Sequence, residues 1–149
     1  MFDIRVVREP GWAYSWGLWQ AYGHPEIAIF GLPADRWGLV NVVADLVASG
    51  LRLAPGVEID DVLVGSRVAV RRIDPSWCAR LFPLPGEREF LQVVWPDADG
   101  AFPWEGEGDL QAQPRLWLPV DDHPPGPWTT TLVAGSFADL PPQAFKHPR

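Results

Sequence analysis

The alternation of hydrophobic and polar residues predicts three short β-strands near the start of the chain. They cover residues 4–7, 12–18 and 26–30, and turn-forming residues separate them at 9–11 and 21–25. Side chains alternate between the two faces of a strand, so Trp12 and Trp16 fall on one face of the second strand. The chain is therefore expected to begin as a small sheet.

A helical pattern replaces this alternation after the third strand. Apolar residues recur every three or four positions from Trp37 to Val47. Pro33 suits the first turn of a helix, where its missing N–H costs no hydrogen bond, and Gly50 suits the position after the last turn. The pattern predicts a helix over residues 33–49.

The next part of the chain predicts further strands and a short helix. Strands are expected at 57–64, 67–73 and 90–95, and a helix at 76–81. Together these elements predict a single α+β domain over residues 1–149. Its mostly antiparallel sheet is packed by the main helix and the short helix.

Composition changes at about residue 96. Most of the 17 prolines follow this point, and a proline cannot donate to a sheet ladder. Four of the nine tryptophans also lie in or beside this region: Trp95, Trp104, Trp117 and Trp128. Because indoles bury large areas, we predict an extended strap packed over the domain by its aromatic side chains. The ordered core is expected over residues 3–128, followed by a flexible tail at 141–149.

Charge and composition exclude several functional classes. The formal net charge is -7, and residues 97–122 carry -6 of it, so a nucleic acid backbone would be repelled. No membrane-spanning stretch or secretory signal is recognisable, which favours a cytoplasmic location. Cys78 is the only cysteine and can form neither an internal disulfide nor a thiolate metal site. Without dinucleotide or phosphate-loop signatures, no metal and no cofactor is predicted.

His24 and Glu26 form the clearest candidate for chemistry. They flank Pro25, and extended geometry would project both side chains to one face, roughly 7 Å apart. An imidazole and a carboxylate in this arrangement could share a proton, bind a cation or hold a polar ligand. The alternative is structural, with His24 capping a turn and Glu26 solvated. No complete catalytic constellation can be assembled, so whether the protein is an enzyme stays open.

Further candidates are an amide, an acidic loop and several aromatic rings. Asn41 lies at the edge of the buried helix face; if it is buried, its amide needs partners such as the loop around His24, and the alternative is a half-exposed helix position. Asp97 begins an Asp-x-Asp-Gly sequence that suggests a cation loop, although a turn explains it equally well. The aromatic residues could line a ligand pocket or belong to the core. They are Tyr14, Trp16, Trp95 and Trp104.

Four motifs follow one another along the chain: the strand from Trp12 to Leu18, the His24-Pro25-Glu26 corner, the Gly31-Leu32-Pro33 helix start, and the loop from Trp95 to Trp104. Together they resemble the bacterial family catalogued as domain of unknown function 4262. The resemblance covers roughly residues 12–105, and Ser15 stands where the family usually has threonine. It implies the fold but no established activity.

Two functional hypotheses follow. The first is a binding or accessory protein, including an immunity-type role, that uses an acidic, tryptophan-rich surface to bind a basic protein partner. The second is a small-molecule or cofactor-binding protein or enzyme with an aromatic pocket at His24 and Glu26, loosely similar to flavin-binding split barrels. Either hypothesis permits a homodimer, but neither requires one.

Overall fold

The computed structural model describes residues 2–7, 11–31, 38–63, 66–82, 86–96, 100–105, 113–126, 128–129 and 143–146. The strands in these ranges are β1 (Asp3–Val7), β2 (Trp12–Trp16), β3 (Glu26–Phe30), β4 (Glu58–Leu63), β5 (Ser66–Arg72), β6 (Phe90–Val94) and β7 (Gln143–Lys146). The helices are α1 (Leu18–Tyr22), α2 (Gly38–Ala48) and α3 (Pro75–Leu81), with a 3-10 helix at Val120–Asp122.

The seven strands form one sheet in the order β4-β5-β6-β3-β2-β1-β7. β3 and β6 pair in parallel, and every other neighbouring pair is antiparallel. This arrangement confirms the predicted α+β class with a mostly antiparallel sheet. The parallel pair lies in the centre of the sheet, where both faces are covered.

The two faces of the sheet carry different cores. On the first face, aliphatic side chains such as Ile27 and Val70 pack against the buried side of α2. On the second face, Trp12 and Phe30 pack with α3 and with the strap residues Leu116 and Trp128. The alternation of side chains along each strand produces this division.

The predicted main helix is confirmed over Gly38–Ala48, and its expected start at 33–37 lies outside the described residues. Its end is closed by two backbone hydrogen bonds. The N–H of Gly50 donates to Val47 and that of Leu51 donates to Leu46. Gly50 has φ +113°, as a residue following a helix end often requires.

The prediction that the second strand continues to residue 18 is wrong beyond Trp16. Gly17 turns the chain with φ +123°, and Leu18 begins the short helix α1. Gly23 ends this helix in the left-handed conformation. The change of direction depends on a side chain from β3, described below, so the local pattern did not indicate it.

The C-terminal region contains both the strap and a strand. Leu116 and Trp128 are buried in the second core, as expected for a strap packed by apolar side chains. Residues Gln143–Lys146, within the tail expected to be flexible, pair as β7 with β1. The sequence pattern predicted no strand at this position.

Candidate functional site

Glu26 is a fully buried carboxylate at the start of β3. It accepts hydrogen bonds from the Ser15 hydroxyl at 2.8 Å and from the N–H groups of Gly17, Leu18 and Trp19 at 3.0–3.1 Å. These N–H groups belong to the first turn of α1, where a helix lacks internal acceptors. Glu26 therefore caps α1 from a neighbouring strand. The backbone dipoles of the first turn of α1 stabilise the negative charge of its carboxylate.

His24 is buried and bonded to backbone through both ring nitrogens. Its Nδ1–H donates to the Pro25 carbonyl at 2.8 Å, and its Nε2 accepts from the Leu53 N–H at 2.9 Å. An acceptor at Nε2 requires the neutral ring protonated on Nδ1. Burial, more than any neighbouring charge, lowers the pKa of His24. The imidazole thus links the corner before β3 to the loop before β4.

The structure brings His24 and Glu26 into one corner but gives them separate partners. The hydrogen bonds found for Glu26 go to the β2–α1 junction, while those of His24 go to Pro25 and Leu53. The structural alternative expected a solvated Glu26, and the carboxylate is instead fully buried. Both side chains act on backbone groups of the protein itself.

Two arginines approach this corner around Trp16. The Arg88 Nε lies 3.8 Å from Glu26 Oε2, and the Arg88 guanidinium carbon lies 4.2 Å from the centre of the Trp16 ring. Arg5 lies 4.8 Å from the same ring centre and pairs across the sheet with Tyr14. Burial raises the pKa of the Tyr14 phenol, and Arg5 partly opposes that effect. Sequence reasoning missed Arg88, because an arginine just before a strand is usually exposed to solvent.

A second histidine repeats the arrangement of His24. The Nδ1–H of His123 donates to the Pro124 carbonyl at 2.8 Å, and its Nε2 accepts from the Arg115 N–H at 2.9 Å. Burial lowers its pKa in the same way. The signal was present in the sequence, since His-Pro occurs at 24–25 and again at 123–124.

Two buried glutamines attach the strap to β6 and its extension. Gln92 donates to the Pro114 carbonyl at 2.8 Å and accepts from the Leu116 N–H at 3.2 Å. Gln113 donates to the Trp95 carbonyl at 2.6 Å. The Trp95 indole N–H donates to the Phe30 carbonyl at 3.0 Å. Trp95 therefore has a structural position between the strap and β3.

The candidate ring Trp104 lies on a surface formed by five side chains, which we call the Trp104 surface. Trp104 is 37% exposed and stacks on the buried Phe102, with ring centres 5.0 Å apart. Trp117 meets its edge at 5.4 Å, and the Arg71 guanidinium carbon lies 3.9 Å from its ring centre. Arg67 completes the surface by lying over Phe102 at 5.4 Å.

One exposed carboxylate lies at this aromatic surface, and two more are exposed elsewhere in the strap. Glu105 follows Trp104 directly, accepts from the Phe102 N–H at 3.1 Å and lies 3.9 Å from Arg67. Asp121 and Asp122 are exposed in the 3-10 helix of the same strap. Asp97 lies outside the described residues.

The structure also describes the surroundings of Asn41 and Cys78. Asn41 is half-buried on α2, and within the described part of the chain its buried Oδ1 has no hydrogen-bond partner. Burial raises the pKa of Cys78 to about 11, which keeps it a thiol.

Across the ranges that the structure describes, no group of three or more His, Cys, Asp or Glu side chains is placed to hold a metal ion. Within the same ranges, no helix combines the length and apolar character that crossing a bilayer requires.

The chain matches a protein-family model. A family model described as "Domain of unknown function (DUF4262)" matches residues 4–109, which is most of the chain. Neither the curated proteins nor the solved structures contain a match to this chain.

Proposed function

The chain belongs to the DUF4262 family, and we propose that it is a binding protein that recognises a basic protein partner through the Trp104 surface. An accessory role of the immunity type, in which the chain neutralises such a partner, is included in this proposal. The family description assigns no activity, so the proposal rests on this chain's own geometry.

The exposure of Trp104 carries the proposal. Among the described residues the other exposed large apolar side chains are Val42 and Leu51, and both are aliphatic. Trp104 instead stands on a packed base of Phe102 and Trp117, with Arg71 against its ring. Tryptophan and arginine are the residues most enriched among those that dominate binding energy at protein interfaces.

The net charge of the sequence segment that contains Trp104 favours a basic partner. Trp104 lies within the segment 97–122, which has a net charge of -6. Arg67 lies 3.0 Å from Glu58 and 3.9 Å from Glu105, so its charge is balanced locally. The remaining acidic excess would attract a cationic surface from solution, and salt would weaken this attraction.

The alternative function at His24 and Glu26 has less support. A ligand there would have to displace the backbone N–H groups that bind Glu26 or the Leu53 N–H that binds His24. Such displacement leaves buried donors without acceptors, which costs about 1–3 kcal/mol for each.

Affinity capture with matched variants tests the proposal. The full chain, Trp104→Ala and Leu51→Ala serve as baits in extracts of the organism that encodes the protein, at low and high salt. Leu51 is 38% exposed and provides the control for loss of an exposed apolar side chain. A captured protein would then be purified and titrated against each variant.

We expect a basic protein that binds the parent chain and Leu51→Ala equally. Its binding to Trp104→Ala should be weaker by about 30-fold, the loss typical of an anchoring tryptophan. Added salt should weaken binding of the parent chain. A partner that binds Trp104→Ala as tightly as the parent, or one whose affinity does not depend on salt, would overturn the proposal.

A further inference from the structure

The buried histidine of the strap, His123, is connected to the Trp104 surface through Arg115. The Arg115 backbone N–H donates to His123 Nε2 at 2.9 Å, and the Arg115 guanidinium donates to the Pro103 carbonyl at 2.9 Å. Pro103 directly precedes Trp104, and Trp117 follows Arg115 by two residues. Arg115 therefore contacts the histidine with its backbone and holds the chain beside Trp104 with its side chain.

This connection requires an uncharged imidazole. The Nδ1–H of His123 donates to the Pro124 carbonyl at 2.8 Å, so Nε2 can accept the Arg115 N–H only while it carries no proton. Trp77 of α3 packs against the imidazole, which belongs to a residue only 8% exposed. A proton on Nε2 would place two N–H donors against each other in a site that water barely reaches.

The charges near His123 also oppose its protonation. Burial lowers the pKa of His123, and the charge of Arg115 lowers it further. The Arg115 Nε is buried and, among the described residues, has no hydrogen-bond partner, so an imidazolium would add a second cation there. The contact from α3 is the uncharged Trp77 ring, and Asp121 and Asp122, just before the histidine, are exposed to solvent.

The rest of the strap has attachments that do not involve this histidine. The Leu116 N–H donates to the Gln92 side chain at 3.2 Å, and the Trp77 indole N–H donates to the Leu118 carbonyl at 2.7 Å. Loss of the histidine acceptor should therefore displace Arg115 without detaching the strap.

We propose that His123 is a positioning residue that makes the Trp104 surface responsive to pH. With a neutral imidazole the surface binds its partner. With a protonated imidazole Arg115 is displaced, Pro103 loses its guanidinium donor, and the surface releases the partner. The release step rests on the proposed function, whereas the change at Trp104 needs no partner.

The indole N–H resonances of the free protein test the structural step. The parent chain, His123→Gln and His24→Gln are titrated from neutrality to mild acid at constant ionic strength, and Trp104→Ala assigns the Trp104 resonance. A glutamine at position 123 offers an amide oxygen to the Arg115 N–H and does not titrate. His24 makes the same two kinds of backbone hydrogen bond away from the Trp104 surface, so its variant is the matched control.

We expect the Trp104 resonance to shift in the parent chain and in His24→Gln, with a midpoint below about pH 6.5. The shift should occur while the amide resonances of α2 keep their native positions, and it should be absent from His123→Gln. Effects of the neighbouring Glu105 are common to all three proteins and cancel. A resonance that moves equally in His123→Gln, or only together with those of α2, would overturn the inference.

The partner obtained by affinity capture tests the release step. Acidification should raise its Kd for the parent chain and for His24→Gln about tenfold more than its Kd for His123→Gln. Equal pH dependence of all three would overturn the release. If Trp104→Ala binds as tightly as the parent chain, the proposed function and the release fail together, while the indole titration still decides the structural step. An invariant Trp104 resonance overturns only the present inference.

Discussion

A buried carboxylate destabilises a protein unless hydrogen bonds stabilise its charge. Glu26 receives such hydrogen bonds from residues close to it in the sequence. Its three backbone donors and one hydroxyl come from residues 7 to 11 positions earlier in the chain. The Ser15 hydroxyl also accepts from the Ile27 N–H at 3.0 Å, so it bridges β2 and β3. At the residue scale, Glu26 and Ser15 together determine where β2 ends and α1 begins.

Replacing Glu26 with glutamine should lower the free energy of unfolding by about 3 kcal/mol. The amide group would direct an N–H₂ toward backbone donors, and it would also remove the charge beside Arg88. Urea unfolding at neutral pH measures the effect, with the exposed Glu87→Gln as the control. Equal stability of the two variants would contradict the capping role.

The two buried histidines should make stability depend on pH. Burial holds their pKa values below the ordinary 6.5 in the folded protein, so below about pH 6.5 the unfolded chain binds more protons. Their contribution is therefore complete above that pH and is lost as the pH falls through the folded values. Around His24, Arg52 lowers the pKa and Glu26 raises it; Arg115 lowers that of His123.

The measurement is urea unfolding at several pH values between neutrality and mild acid. His24→Gln and His123→Gln should each lose less stability on acidification than the parent chain. Carboxylates common to all three proteins contribute equally and cancel in the comparison. Parallel pH profiles for the parent and both variants would show that these imidazoles do not titrate with unfolding.

At the scale of elements, those formed by local pattern could be predicted and those held by distant side chains could not. The helix α2 shows apolar periodicity and a glycine after its end, both visible within a short window. The helix α1 depends on Glu26, which follows it in the chain. The path of the strap depends on Gln92 and Gln113, whose partners lie 18 to 24 residues away.

The same distinction applies to the candidate site. Sequence pattern selected His24, Glu26 and Trp104 as unusual residues, but it could not show which would be buried and bonded to backbone. Trp104 is exposed because Phe102 and Trp117 occupy the space beneath it, and that packing is tertiary. Arg88 gave no local signal, since its contacts are with Trp16 in β2 and Glu26 in β3.

Replacing Gln92 with alanine should release the strap from the sheet. The change leaves the Pro114 carbonyl and the Leu116 N–H without their side-chain partner, and the expected loss of stability is about 2 kcal/mol. Hydrogen exchange should accelerate at residues 113–118 more than in α2. Gln20→Ala, at an exposed position of α1, is the control. Unchanged exchange in the strap would contradict this account.

At the scale of the whole molecule, a single sheet joins two cores that the chain covers in different ways. The helix α2 covers the first face, while α3 and the strap cover the second. Each central strand contributes alternate side chains to both cores, so neither face can lose its packing without affecting the same strands. The cores should therefore unfold together despite their different coverings.

Two optical probes report on the two faces and can test this coupling. Three buried indoles of the described residues, Trp12, Trp77 and Trp128, lie in the second core, so their fluorescence reports on that face. The longest described helix, α2, packs on the first face and contributes much of the far-ultraviolet circular dichroism of helices.

Leu116→Ala in the strap should lower the free energy of unfolding by about 2–5 kcal/mol, because it removes a fully buried side chain. Val43→Ala in α2 should cost about 2 kcal/mol for the same reason. In a cooperative molecule each substitution shifts the urea midpoints of fluorescence and circular dichroism equally, although each lies on one face only. If Leu116→Ala shifted the fluorescence midpoint and left the circular dichroism midpoint in place, the strap and its core would form a separately unfolding layer.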